Sequence, residues 1–472
     1  MLAEKSLKPC PTYQRREPEK TPCYQIIKEH LPAFMSEREE EGRPLPAYVV
    51  KEFEAYLKCG ILSHGFLRLK CQDCQNEKVV AFSCKTRGFC PSCWGKRMAE
   101  TSEHLLEYVL PFAPYRQFVV SFPFPLRFWL QTNRKLYQKV HSLVIKRLHG
   151  FYRKKAHSQG ILDPVPGTIS FTQRWGSALN LNPHMHVLSL DGVYHMVQDK
   201  PRFELLSSIS DEEVQNIITQ ISHDVIGYLR KRGFLSLEGE LVQHPSPDKT
   251  FEDSEAISLA TQSSLSGKIA FGPNAGKYVT RIGSGFGYGE EIPLAKGPLC
   301  YSVNGFSLHA RTRIKTHQRD QLGRLIEYMA RGPLSNDRLE ITQEDQVRLS
   351  LKTPWSDGTA HLLFSPGEFI EKLCALIPPP KGHLVRWSGC FAPNSPYRKL
   401  IRLKPEAKKG FNFGSKSQSQ KKNPSWARLL ARVFKIDVLS CHCGGQFKVI
   451  AAIRGFDGVT RYLDHNQSQA PP

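Results

Sequence analysis

The stretch Gly176-Ser177-Ala178-Leu179-Asn180-Leu181-Asn182-Pro183-His184-Met185-His186-Val187-Leu188-Ser189-Leu190-Asp191-Gly192 decides how the chain is read. Two histidines flank one apolar residue, and an apolar run follows as far as Asp191-Gly192. On a strand, residues i and i+2 point to one face. His184 and His186 therefore offer two imidazoles side by side, while Met185 faces the opposite layer. Pro183 is expected to mark the strand's start. Two imidazoles on one rigid face make half of a metal site, and a third donor would complete a site for Mg²⁺ or Mn²⁺.

The segments around this stretch supply a sheet and helices. Gly167–Arg174 reads as a strand, and the short connection makes it an antiparallel neighbour of the histidine strand. Gln117–Phe122 is another strand, stopped by Pro123 and Pro125. Phe306–Ile314 alternates as a third, with His309 sharing a face with Ser307, Arg311 and Arg313. His309 is a candidate third ligand, although a lone strand histidine is more often a polar-face residue. Residues 128–156 read as a basic helix with Leu136, Val140, Val144 and Leu148 on its apolar face, and residues 210–234 as another. Gln318–Ala330 is a helix stopped by Arg331-Gly332-Pro333. Leu322, Leu325, Ile326 and Met329 form its buried stripe. Tyr328 lies on the exposed flank with Arg324 and Arg331, where a tyrosine between arginines suits attack on a phosphate. The plainer reading of Tyr328 is an amphipathic residue at a core edge.

Thirteen cysteines are present. Cys71-x-x-Cys74 and Cys90-x-x-Cys93 have the spacing of two knuckles closing one tetrahedral zinc site. Cys59 and Cys84 are further candidates, favoured here as buried thiols. Cys441-His442-Cys443-Gly444-Gly445 forms a cysteine–glycine turn without an evident second pair. Lys96 and Arg97, with Trp94 beside them, add a basic and aromatic surface suited to bases and phosphates.

The 472 residues carry a formal net charge of +21, which argues for a polyanionic partner. The N-terminal residues lack the apolar core of a signal peptide, and no apolar run is long enough to cross a bilayer. A cytoplasmic protein with no membrane partner is expected. The organisation expected is α+β. A flexible tail spans 1–22, and a helical segment with a zinc-binding domain spans 23–108. An antiparallel-sheet catalytic domain spans 110–348, interrupted by an irregular insertion at 236–300 with one helix near 255–266. Its C-terminal part is 349–402, a basic linker is 403–424, and a Cys/Gly module is 425–472. The alternating glycines near 283–289 lack a strand–GxGxxG–helix context, so no dinucleotide site is assigned.

Several stretches in this order carry a resemblance. They are AFSCKTRGFCPSCWGKRMAE, FTQRWGSALNLNPHMHVLSLDGVY, GFSLHARTRI, LIEYMARGPLSNDRL and LKTPWSDGTAHLLFSP. The chain resembles rolling-circle transposases of the HUH class, in particular the insertion sequence 91 family and its single-tyrosine, common-region branch. The resemblance implies an HUH sheet core with flanking helices and a basic C-terminal extension. It implies His184 and His186 as catalytic metal ligands, Tyr328 as nucleophile, structural Zn²⁺ and catalytic Mg²⁺ or Mn²⁺. Arg324, Arg331, Lys96, Arg97, Arg174 and Arg311 are the residues expected on DNA. The substrate implied is single-stranded DNA at transposon ends and target, nicked and rejoined through a 5′-phosphotyrosine. Arg324 stands where two-tyrosine relatives carry their earlier tyrosine. One tyrosine must then serve both ends, by a second subunit in a homo-oligomer or by reuse. The C-terminal turn is one residue shorter between its cysteines than the family's C-P-x-C-G-G. Two rivals stand beside this reading: a three-carboxylate transposase, for which no acidic triad shows, and a catalytically inactive zinc-dependent DNA-binding protein.

Overall fold

The computed structural model describes residues 15–283, 297–380, 382–401, 439, 441–455, 458–460 and 462. The expected linker 403–424, the tip of the glycine run and most of the tail 1–22 lie outside the described residues.

The chain opens with α1 (Pro22–Glu40) and α2 (Ala47–Leu57), whose buried faces are Ile26, Ile27, Leu31 and Phe34 on one and Val49, Phe53 and Tyr56 on the other. A hairpin follows, β1 (Phe66–Cys71) and β2 (Glu77–Ala81). Next, α3 (Pro91–His104) starts directly at the second CxxC turn, with Pro91 in its first turn where no N–H is missed. The helix ends in one wide turn at Leu105–Val109.

Next come β3 (Tyr115–Ser121), α4 (Phe124–Thr132) and α5 (Arg134–Ser158). The single helix expected over 128–156 is thus two, because Asn133 leaves helical conformation and its side chain caps Leu136 N at 2.7 Å. Then β4 (Gly167–Trp175) and β5 (Leu181–Leu190) pair antiparallel, as expected. Here β5 begins before Pro183. The register slips between Gln173 and Trp175, so the missing proline N–H falls at a bulge. A small hairpin, β6 (Gly192–Val197) and β7 (Lys200–Leu205), precedes α6 (Asp211–Lys231).

Within the expected insertion lie α7 (Lys249–Glu252), α8 (Glu255–Ser266, the helix expected there) and β8 (Thr280–Gly283). After it come β9 (Cys300–Val303), β10 (Phe306–His309) and β11 (Arg313–Ile314). The continuous strand expected over 306–314 is broken at Ala310–Thr312, where the chain leaves the ladder and rejoins β3 further along. The chain continues through α9 (Arg319–Ala330), β12 (Leu339–Ile341), β13 (Val347–Ser350), β14 (Thr359–Phe364), α10 (Pro366–Leu376), β15 (Val385–Gly389), α11 (Pro396–Ile401) and β16 (Phe447–Ile453).

The central sheet has seven strands in the order β15-β4-β5-β3-β10-β9, with β11 also on β3. The histidine strand β5 is therefore interior, flanked by β4 and β3. Alternation along β5 sends Met185 and Val187 to the face covered by α5 and α6, in a core with Val140, Val144, Leu148 and Ile218. Leu188 and Leu190 face the other side, with Phe171, Leu322, Ile326 and Met329 of α9. His184 and His186 share this second face by the period of the strand. A third core joins α1, α2, α8, α10 and the sheet β12-β13-β14-β8, drawing side chains from 23–108, 236–300 and 349–402 together.

Candidate active site and zinc centres

The two imidazoles lie with ring centroids 4.9 Å apart. His184 Nδ1 is 2.6 Å from the Asn182 carbonyl, which can only accept, so Nδ1 carries the proton and Nε2 keeps its lone pair. The Gln117 side-chain amide meets His186 Nδ1 at 2.7 Å. The atom placed there is the glutamine Nε2, a donor; with the amide turned so that its oxygen faces Nδ1–H instead, it would hold the same tautomer as in His184. His186 Nε2 is buried and unpartnered. Burial is the first cause that lowers the pKa of both rings; for His186, the neighbouring His184 and Arg331 add to it and bring it to about 3. Both histidines are thus neutral at physiological pH, the form that binds a metal ion.

Tyr328 closes the site from α9. Its ring stands nearly perpendicular to His186, with centroids 5.6 Å apart, and 47% of the residue remains exposed. The Arg331 guanidinium lies 4.5 Å from the centre of the Tyr328 ring. Gln173 on β4, paired with His184, donates from Nε2 to the carbonyls of Tyr328 and Met329, both at 3.0 Å. Those are last-turn carbonyls with no helical partner of their own. The end of α9 is thereby pinned to the sheet beside the histidines. Sequence reading missed Gln173 and Gln117, since nothing but strand register marks them.

His309 sits apart from the pair. It lies opposite Val119, which in turn lies opposite His186, so one strand separates the two histidines. Among the described residues, no group of three His, Cys, Asp or Glu ligand atoms includes His184 or His186.

Beyond Tyr328, Arg331 and Arg338 converge with Lys352. Burial and then the neighbouring Arg331 push the pKa of both Arg338 and Lys352 down. These cations line a cleft of about 220 Å³ with Trp94, Trp175 and Ser177. The Trp94 and Trp175 rings meet edge to face at 5.4 Å. Gly332 packs on this wall: a Cβ there would lie 2.4 Å from Trp94 Cγ. Of the expected DNA contacts, Arg324 and Arg311 are exposed and Lys96 pairs with Glu100 at 3.8 Å. Arg97 donates to the Lys85 and Thr86 carbonyls. Arg174 is only 6% exposed, next along the strand from Gln173 and so on the opposite face, donating to Gln131 and to the Leu376 carbonyl. Strand alternation makes it a packing residue rather than a surface one.

The cysteines group differently from the expected pairing. Cys90 and Cys93 join Cys59 and Cys84, not Cys71 and Cys74. Sulfur separations of 3.8 Å (Cys59–Cys93 and Cys59–Cys90) and 3.3 Å (Cys84–Cys93) suit one tetrahedral ion, for which Zn–S bonds of ~2.3 Å place sulfurs about 3.8 Å apart. Cys59 and Cys84 thus stand in a group of four that could hold an ion, rather than as isolated buried thiols. The hairpin between β1 and β2 carries Cys71 and Cys74 away from the helix that holds Cys93. They face Cys441 and Cys443 instead, which supplies the second pair that the C-terminal turn seemed to lack.

A cysteine-rich N-terminal unit joined to an antiparallel α+β sheet core is the architecture. Comparison with known families agrees: residues 26–122 match the model described as "Transposase zinc-binding domain", and residues 167–399 match that described as "Putative transposase". The chain belongs to the insertion sequence 91 type of transposases, with structural zinc in its N-terminal domain. No curated protein and no solved structure matches it. No helix among the described residues is long and apolar enough to cross a membrane.

Proposed function

We propose that the chain nicks and rejoins single-stranded DNA at the ends of its element, with Tyr328 as nucleophile. The observation that supports this best is the Tyr328 ring 5.6 Å from a His186 whose buried Nε2 has no partner. Two neutral imidazoles with free Nε2 atoms fit a divalent ion, Mg²⁺ or Mn²⁺. Bound there, such an ion would polarise the scissile phosphate and offset its developing charge. The Gln173 amide oxygen, buried and unpartnered on the position paired with His184, is our choice for a third donor ahead of His309.

In this reading the Tyr328 phenol oxygen attacks phosphorus and loses its proton. The bond from phosphorus to the 3′ oxygen breaks, and that oxygen takes up a proton as a free 3′-hydroxyl. The DNA 5′ end stays on Tyr328 as a phosphodiester. Attack by an acceptor 3′-hydroxyl reverses the step and releases Tyr328, so joining needs no nucleotide cofactor. Arg331 neutralises a phosphate beside the tyrosine, while Arg338 and Lys352 hold the strand's next phosphates along the Trp94–Trp175 cleft.

The test uses labelled single-stranded element ends with Mn²⁺, followed by denaturing electrophoresis. Tyr328→Phe is expected to abolish cleavage and the SDS-stable adduct while leaving binding intact. His184→Ala combined with His186→Ala is expected to abolish Mn²⁺-dependent cleavage. An adduct that persists in Tyr328→Phe removes that residue as nucleophile.

A further inference from the structure

We propose that Cys71, Cys74, Cys441 and Cys443 form a second zinc centre whose ion clasps the two ends of the chain together. The matched zinc-binding domain spans 26–122 and holds the four cysteines of the first centre. It also holds Cys71 and Cys74, which by themselves fill only half of a tetrahedral shell. The other half comes from beyond the transposase match at 167–399, so the whole catalytic region lies between the two pairs.

The geometry is that of a metal site. Cys71 Sγ is 3.6 Å from Cys443 Sγ, and Cys74 Sγ is 3.5 Å from Cys441 Sγ. All four sulfurs lie within 4.8 Å of one another. Those spacings are near the ~3.8 Å of a ZnS₄ tetrahedron and far from the ~2.05 Å of a disulfide. Both turns are built to present sulfur. Cys71 N donates to the Asn76 carbonyl at 2.8 Å, Gly444 N to the Cys441 carbonyl at 3.0 Å, and Cys441 N to the Gly445 carbonyl at 2.8 Å. The turns also need glycine where they meet: a Cβ on Gly445 would lie 2.9 Å from Cys71 Sγ and 2.3 Å from an Asp73 carboxylate oxygen.

The packing around the site explains what the ion is for. β16 pairs antiparallel with β1, from Phe66 opposite Ile453 to Cys71 opposite Phe447. Among the described residues its local core is four buried residues, Leu69, Cys71, Cys441 and Phe447, with Leu67, Val80 and Leu439 partly buried against them, and two of the four are proposed ligands. So small a core does not hold a three-stranded sheet by burial, and small domains of this kind draw their stability from metal binding. The ion is therefore what holds β16 in place. The second centre is half open, with Cys74 and Cys443 exposed and Cys71 and Cys441 buried, whereas the first has three buried cysteines, a half-buried Cys84 and none exposed. The clasp ion is expected to leave first under a chelator.

The experiment measures zinc per chain by plasma mass spectrometry on the purified full-length protein. The wild type is expected to hold two ions. Cys441→Ser with Cys443→Ser, Cys71→Ser with Cys74→Ser, and the fourfold combination are each expected to hold one, because both pairs serve the same ion. Two ions retained in the Cys441/Cys443 variant, or a fourfold variant with fewer than either pair, overturns the proposal. A readout on wild type needs no substitution: a brief EDTA pulse, then alkylation and peptide mass spectrometry. Cys71, Cys74, Cys441 and Cys443 should become labelled together while Cys59, Cys84, Cys90 and Cys93 stay protected. Labelling of Cys441 and Cys443 before any chelator, with Cys71 and Cys74 protected, also overturns it.

Discussion

Gln173 shows how much of the candidate site depends on one uncharged side chain. Its Nε2 serves two carbonyls at the end of α9, and one of them belongs to Tyr328 itself. Gln173→Ala leaves both carbonyls dry at a cost of about 1–3 kcal/mol and frees the helix end to shift. We expect adduct formation to slow by at least ~10- to 100-fold, the range for loss of an outer-shell partner of a metal site, because the substitution also removes the amide oxygen proposed above as the third donor. A time course on denaturing gels measures this, and unchanged zinc content would show that the fold survives. A wild-type rate would mean that α9 is positioned by its apolar stripe alone. The histidine pair was legible because a two-residue period is a property of any strand. Gln173 was not, because a buried glutamine gains meaning only from the residue paired opposite it.

At the scale of elements, local chemistry set what could be read. The helices at 211–231 and 366–376 carry capping boxes, Ser210 with Glu213 and Ser365 with Glu368, and the first is the helix expected over 210–234. The break at Asn133 and the gap at Ala310–Thr312 escaped reading because the apolar pattern runs straight through each. On α5 the lysines drew attention, but its buried side also presents His141 and His149 to β4. Their Nε2 atoms lie 2.6 Å from Ser170 Oγ and 2.9 Å from Thr168 Oγ1. Burial, with a nearby arginine in each case, pushes both down to about 4. In the unfolded chain they titrate near 6.5. Between those values the unfolded chain binds the protons and the folded one does not. Stability is therefore complete above pH ~6.5 and falls as pH drops towards 4, by up to about 3 kcal/mol per histidine. Urea midpoints at pH 7 and pH 5 test this. His141→Gln with His149→Gln should lose less on acidification than wild type, and an equal loss in both would clear these residues of the effect.

Across the whole molecule, the net charge of +21 pointed to a polyanion, yet it could not say which cations face it. The six arginines and lysines picked from sequence include Arg174, which packs inside, and Arg97, which serves carbonyls of the zinc loop. The cysteines failed in the same way. Each CxxC turn is local and legible, but which turns come together is decided by a hairpin and by a strand returning from far along the chain. Arg338 and Lys352 were absent from the sequence reading because they come together with Arg331 only when the segment after α9 folds back beside Trp94 and Trp175. If this cleft carries single-stranded DNA, each phosphate neutralised there adds about 0.7 to the slope of log affinity against log salt. Arg338→Ala with Lys352→Ala should therefore weaken binding of a fluorescent single-stranded oligonucleotide at low salt and flatten that slope by about 1.4. Anisotropy titrations across a series of KCl concentrations give the slope directly. A double variant with weaker binding but the wild-type slope would show that the two side chains shape the cleft without touching phosphate, and the path of the strand would then have to be sought along the exposed flank of Arg324 and Arg311.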